Sequence, residues 1–238
     1  MKMKKKVVID SNVMDIQAEK DHLRKLYLAD LRKEISFDGG KTYRKRVRRV
    51  SWYEKISNIP QTIELSQYEN VWCLSDTHFG HRNIINYCSR PFADLDDMSQ
   101  QLIKNHNDVV GDDDLVIWVG DVAFIGANRA NEILSHLKGE RILIIGNHDI
   151  NRGKIKNLDF KEKHLIYAIG GTPSIVFTHY PFENCPYGWI NVHGHIHNTY
   201  DTNSLQHINV SVEVIGYKPI NWNDIVRMAR TRWESMQQ

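Results

Sequence analysis

Val71-Trp72-Cys73-Leu74-Ser75-Asp76-Thr77-His78 reads as a short buried strand that breaks abruptly into polar residues, with two potential ligands, Asp76 and His78, flanking one threonine. The pattern recurs downstream. Leu115–Val119 runs into Gly120-Asp121, Arg141–Ile145 into Gly146-Asn147-His148-Asp149, Ser174–Thr178 into His179-Tyr180, and Ile190–Val192 into His193-Gly194-His195-Ile196-His197. Short, nearly continuous apolar runs suit strands buried on both faces. Between and after them, helical periodicity covers Leu95–Val109, Asn128–Leu137 and Asp224–Trp233, and Gln206–Val212 reads as a further strand. This alternation predicts an α/β fold: a mainly parallel sheet, a more strand-rich second half, and two sheets packed as a sandwich flanked by helices.

The wider sequence supports a packed core. Hydrophobic residues make up 41% of the 238 and charged residues 25%, close to the average for globular chains. The longest uncharged apolar stretches, Leu115 to Gly120 and Ile142 to Gly146, fall far short of the ~20 residues of a spanning helix, so no membrane partner is expected. The opening lysines lead into Val7-Val8-Ile9-Asp10, too brief for the apolar part of a signal peptide, and the expected location is the cytoplasm. Three widely spaced cysteines suggest neither a disulfide framework nor a thiolate site. Histidine stands out, with 12 residues, several grouped with Asp, Asn and Gly.

Charge divides the chain near residue 70. Residues 1–70 hold 16 Lys or Arg against 10 Asp or Glu, and the remainder 15 against 19. The two parts are read as a basic N-terminal appendage, 1–70, and a larger domain, 71–238. In the appendage, Asp15 to Glu34 has helical spacing, Asp38-Gly39-Gly40 signals a turn, and Thr42 to Trp52 comes next as the second strand of a hairpin. Lys41, Arg44, Lys45, Arg46, Arg48 and Arg49 fall within nine residues, with Tyr43 and Trp52 available for stacking. Such a surface could track a phosphate backbone; a solvated basic edge strand is the plainer reading.

Ligands in open α/β sheets bind beyond the carboxyl ends of the strands, so five polar clusters leaving five strands at that end are expected to converge. Singly, each Asp would be a turn or cap. Together, His, Asp and Asn form a nitrogen and oxygen donor set suited to first-row divalent ions and not to calcium.

The ordered set Asp-x-His, Gly-Asp, Gly-Asn-His-Asp, a later strand-end His and Gly-His-x-His resembles the calcineurin-like metallophosphoesterase superfamily over residues 71–238. Asp76 to Ile85, Arg90-Pro91-Phe92 and Asn209 to Pro219 are similar to a compact bacterial and phage group within it. The resemblance implies a two-sheet metallophosphoesterase-like sandwich and a dinuclear centre. One ion would be held by Asp76, His78, Asp121 and His197, the other by Asp121, Asn147, His179 and His195. Manganese is the expected metal, with iron, zinc or nickel as alternatives. It further implies hydrolysis of phosphomonoesters or phosphodiesters by a bridging hydroxide, with His148 as general acid. Asp149, next to it, is expected to orient that ring, to cap a helix near Ile150 or to serve structure, with no direct chemistry. Nucleotides or nucleic-acid ends are the leading substrates.

Several neighbours are open to two readings. His81 and His193 either support the ligands or belong to the scaffold, and Arg82 and Arg90 either clamp phosphate or lie at the surface. Tyr180, Tyr187 and Trp189 either stack on a base or pack. Glu213 stands where the resembling group suggests Asp. Two other functions stay in view: a nucleic-acid-binding module with a structural metal centre, and a repair-type exonuclease. No P-loop or dinucleotide fingerprint is present.

Overall fold

The computed structural model describes residues 16–34, 63–150, 156–198 and 204–238. The expected hairpin, with the basic run Lys41 to Arg49, lies outside the described residues. Strands β1 (Val71–Leu74), β2 (Leu115–Trp118), β3 (Glu140–Ile144) and β4 (Glu162–His164) pair in parallel, in the order β4-β3-β2-β1. Strand β9 (Ile220–Asn221) closes this sheet antiparallel to β1. The second sheet has the order β5-β6-β7-β8, formed by Tyr167–Ile169, Ser174–Phe177, Trp189–His193 and His207–Asn209. Here β6, β7 and β8 are parallel and β5 is antiparallel.

Successive side chains on a strand face opposite ways, and the core divides accordingly. Val71, Cys73, Leu115, Ile117, Ile142 and Ile144 of the first sheet share one cluster with Ile175, Phe177, Ile190, Val192 and Ile208 of the second, so the sheets bury one face each against the other. The intervening residues Leu74, Val116, Trp118 and Leu143 join a second cluster with Ile84 of helix α2 (Arg82–Tyr87), Met98 and Leu102 of α3 (Leu95–Asn107) and Ala130 and Leu134 of α4 (Ala127–Leu134). Helix α5 (Trp222–Met236) adds Trp222, Ile225 and Ala229 to the inter-sheet cluster. The α/β sandwich flanked by helices is therefore as the sequence leads one to expect.

Helix α1 (Ile16–Glu34) packs against the segment after β6. Leu23 and Tyr27 are fully buried, the Tyr180 amide donates to Tyr27 Oη at 3.2 Å, and Asn184 donates to Asp30. Trp189 donates its indole N–H to Glu19 at 3.1 Å. Trp189 is thus a core residue and unavailable for stacking, while the exposed Tyr187 contacts Trp233 on α5. Among the described residues no helix is long and apolar enough to cross a membrane.

Three strands escape the sequence pattern because they are short or polar. Strand β4 is Glu-Lys-His, its buried Glu162 and His164 paired at 2.6 Å. The run expected at Gln206–Val212 pairs in its sheet only to Asn209. Beyond that point Ser211 bridges Ser75 and the Val212 amide donates to Ser75, carrying the chain to the end of β1.

His106, in the last turn of α3, bonds the Lys138 carbonyl through Nε2 at 3.0 Å while its ring stacks beside Trp118. Burial, with Arg141 adding to it, lowers its pKa to about 4 despite that bond. An unfolded His titrates near 6.5, so the native state binds fewer protons between the two values. Stability from this site is complete above about pH 6.5 and falls as pH drops toward 4, by up to ~3 kcal/mol. Urea unfolding across that window should show a shallower acid loss for His106→Gln than for wild type.

Candidate metal centre

The polar clusters meet at the carboxyl ends of β1, β2, β3, β6 and β7. Among the described residues, Asp76, His78 and His197 offer ligand atoms within 4.8 Å of one another, as do Asp121, His179 and His195, and also His78, Asp121 and His148. Asn147 Oδ1 lies 3.1 Å from His179 Nε2. All seven side chains that the resemblance named as ligands are therefore gathered in one place, with His148 beside them. Asp121 and His78 each occur in two of the groups, and Asp121 Oδ2 is 3.5 Å from His78 Nε2 and 3.4 Å from His179 Nε2.

Backbone geometry marks five of the seven, along with Ser89 and Tyr217 elsewhere. Asp76, His78, Asp121, His195 and His197 all have φ between 49° and 69°. Left-handed conformations are uncommon for residues with a Cβ and persist where the surroundings over-determine them. Here they turn each chain sharply as it leaves its strand, so that consecutive loops aim side chains inward.

Hydrogen bonds fix what the side chains present. His179 donates Nδ1–H to the Val119 carbonyl at 2.9 Å, leaving Nε2 toward Asp121 and Asn147. His197 Nδ1 is held by Glu213 Oε1 at 3.0 Å, leaving Nε2 toward Asp76, 3.9 Å away. An acceptor on one ring nitrogen that frees the other is the usual arrangement behind a metal-binding histidine. Asp76 uses Oδ2 to accept from the His195 amide and Ser211 Oγ, both at 2.9 Å.

Its other oxygen, Oδ1, and both ring nitrogens of His78 are buried with no hydrogen-bond partner among the described residues. Buried polar atoms are nearly always satisfied, and a cation between these groups would satisfy them. The donor set and its orphaned atoms thus fit a divalent metal ion.

The charges point the same way. Burial would raise the pKa of Asp76 and Asp121, yet the surrounding imidazoles hold both well below the ordinary carboxylate range. Burial opposes charge on His179 and His197 too. Asp121 and Asp76 overcome it at His179, and Cys88, Glu213 and Asp76 at His197, raising them to about 9 and about 10. Two fully buried carboxylates demand positive charge nearby, which protons supply in the absence of metal.

The family model for calcineurin-like phosphoesterases matches residues 69–235. The chain belongs to that family. Family membership and the His/Asp groups make it a metal-dependent phosphoesterase. It is 40% identical over 169 residues to an uncharacterized protein of Methanocaldococcus jannaschii, covering 66% of this chain and 90% of that one. It is 36% identical over 84 residues to the gene 66 protein of Mycobacterium phage L5, covering 34% of this chain and 40% of the relative. A solved protein of unknown function from Aquifex aeolicus superposes with TM-score 0.54 at 26% identity, over 67% of this chain and 98% of that one.

One expectation about the phosphoesterase needs correction. Arg90 is buried and does not clamp phosphate: its guanidinium donates to Glu213 Oε1 through Nε at 2.9 Å and Nη2 at 2.6 Å, and to the Thr77 and Asp76 carbonyls. Asp149 serves the structure of the loops. Its carboxylate accepts the amides of Asp121, Val122 and Gly146 at 2.8–3.0 Å, lashing the loops after β2 and β3 together. His193 is a buried sheet residue with Nδ1 on the Gly194 carbonyl and its ring against His207. His81 does border the cluster, 5.3 Å from the His78 ring, and Tyr180 tilts against His195 at 4.1 Å. Arg82 is exposed.

Sequence reading missed Glu213 as a partner of His197, although its place in a segment shared with the resembling group was a signal. It also missed Phe124, an apolar residue in the loop that starts with Asp121.

Glycines of the phosphoesterase motifs are there for space. A Cβ on Gly194 would overlap Ser75 Oγ and Asp76 Oδ2, and one on Gly120, at φ 89°, would meet the His179 ring. Gly194→Ala should displace Asp76 and weaken metal binding by at least about tenfold, the scale seen when a ligand's support is disturbed. Titration of the purified variant with manganese, alongside a thermal melt to show that it folds, checks this.

Proposed function

We propose that the phosphoesterase binds two divalent ions and uses them to hydrolyse phosphomonoesters or phosphodiesters. Asp76, His78, Asp121 and His197 would hold one ion; Asp121, Asn147, His179 and His195 would hold the other, with Asp121 shared. When bound, such a pair supplies Lewis acidity toward phosphoryl oxygens and an acidified water. Manganese is the first choice, followed by iron, zinc and nickel.

The protein's own contributions arise from its contacts. Asp121 brings negative charge to the place where two cations would repel. His179 and His197 are oriented before any ion arrives, because the Val119 carbonyl and Glu213 hold their Nδ1 atoms. His148 lies outside the seven: its side chain keeps 27% exposure and Nε2 stands 3.8 Å from Asp121 Oδ2. An imidazole there can give a proton to the departing oxygen. Nucleotides and nucleic-acid ends are the leading substrates, with Lys41, Arg44, Lys45, Arg46, Arg48 and Arg49 as a sequence-based candidate contact for nucleic acid.

The observation that carries this reading is the convergence of seven side chains from five strand ends in one place, with Asp121 in two of the candidate ligand groups. The test is to strip the protein of metal, reload it with manganese, iron, zinc or nickel, and assay p-nitrophenyl phosphate and bis(p-nitrophenyl) phosphate. Turnover highest with manganese and absent in Asp121→Ala is the expected result. No turnover of either ester with any metal would leave a structural metal centre as the better account.

A further inference from the structure

We propose that the substrate carries a nucleoside whose base stacks on a ledge formed by Phe124 and His81; this rests on the reading of His148 as the residue facing the leaving group. Phe124 is fixed in the loop after β2, its amide donating to the Phe79 carbonyl at 2.8 Å. Its ring lies almost parallel on the His81 imidazole, with centroids 4.2 Å apart and planes 18° apart. Phe124 nevertheless remains 50% exposed. With His81 on one face, the opposite face is the one a base would take.

The ledge adjoins the candidate chemistry directly. The His148 ring is 5.1 Å from Phe124, tilted by 58°, and 6.2 Å from His81. Tyr87, also exposed, stands edge-on to His81 at 6.2 Å and extends the aromatic surface outward. A group leaving past His148 therefore emerges against a flat aromatic wall. Flat wall and flat ligand match: aromatic rings gain from offset stacking beyond the area they bury, whereas an alkyl chain gains from area alone. Every nucleobase has such a face, so stacking selects a base without selecting which one.

In the reaction, the oxygen of water forms a bond to phosphorus and the bond from phosphorus to the nucleoside 5′ oxygen breaks. That oxygen leaves with its electron pair and takes the proton carried by His148, while the attacking water gives up a proton to solvent, from which His148 is protonated again. The base, linked to the same oxygen through ribose, reaches the Phe124 face while the ester oxygen stays beside His148.

Adenosine 5′-(methyl phosphate) and ribose 5-(methyl phosphate) present the same primary alcohol as leaving group and differ in the base. Manganese-loaded wild type should favour the first in kcat/KM by about tenfold or more, the scale of one stacked base, and release adenosine. That ratio should fall close to one in Phe124→Leu, which keeps apolar bulk but loses the ring, and persist in Phe124→Tyr. Independently of turnover, 2-aminopurine riboside 5′-monophosphate should lose fluorescence on binding zinc-loaded wild type and Phe124→Tyr, and keep it with Phe124→Leu. Equal turnover of the two esters, with no quenching, overturns the ledge while hydrolysis stands. Phe124-dependent quenching without hydrolysis of any ester supports the ledge as a base-binding surface and overturns the hydrolase reading instead.

Discussion

Replacing His148 with Ala should lower kcat by about 10²- to 10⁴-fold, the range over which a positioned proton donor acts, while the number of bound metal ions stays the same. The second half of that expectation separates two roles. His148 Nε2 is within 3.8 Å of Asp121 Oδ2, and His148 forms a candidate ligand group with His78 and Asp121. As a ligand, its removal would cost an ion together with activity. As a donor, it costs rate alone, and the loss should be smaller for esters whose leaving group needs no proton, such as p-nitrophenolate. Side-by-side kinetics on alkyl and p-nitrophenyl esters, with elemental assay of the same samples, therefore decide its role. A backbone contact already fixes its position: the His148 amide donates to Asp121 Oδ1 at 2.9 Å, so the donor is tied to the carboxylate that the two ions would share.

Arg90→Met should destabilise the fold by about 3–5 kcal/mol, because it strips a buried carboxylate of a permanent counter-charge. The side chains of Arg90 and Glu213 are 0% and 1% exposed and meet at 2.6 Å. Burial by itself would raise the pKa of Glu213, but His197 and Arg90 lower it, so Glu213 is an anion with two cationic partners. A melting temperature lower by roughly 10 °C is expected for a domain of this size. The double variant Arg90→Met/Glu213→Met should recover much of that stability, since apolar pairs often replace buried ion pairs at little cost. Its metal affinity should nonetheless fall about 10- to 100-fold, because His197 loses the acceptor that orients it. Recovered stability together with unchanged metal affinity would show that Glu213 does not position His197.

The strand ends were legible because burial on both faces makes each strand an unbroken apolar run, and the residues just past its end are polar for a reason. Thus Val71–Leu74 into Asp76 and His78, or Ile142–Ile144 into Asn147 and His148, could be read in order and assigned to one end of a sheet. Strand β9, with two residues, and β4, whose buried Glu162 and His164 satisfy each other, carry no such pattern and emerge only from pairing with neighbours. Arg90 was misjudged for a similar reason. Its partner Glu213 lies 123 residues away, and nothing local distinguishes an arginine bound to a buried carboxylate from one awaiting phosphate. Asp149 could be read as structural but its partners could not: three amides from two loops bind it, and one of those loops is supplied by Asp121 and Val122. The left-handed φ at Asp76, His78, Asp121, His195 and His197 is likewise hard to read from residue type, since Asp and His are enriched in that region yet mostly lie outside it. Phe124 offered only an apolar residue in a loop, a signal that acquires meaning once His81 and His148 are seen beside it.

Metal stoichiometry tests the central claim most directly. After stripping and equilibration with excess manganese, then removal of free ion, the wild-type chain should retain two ions per molecule, and folded Asp121→Ala should retain at most one. One ion or none in the wild type, or two ions held undiminished by Asp121→Ala, would contradict a pair of cations seated on a shared carboxylate.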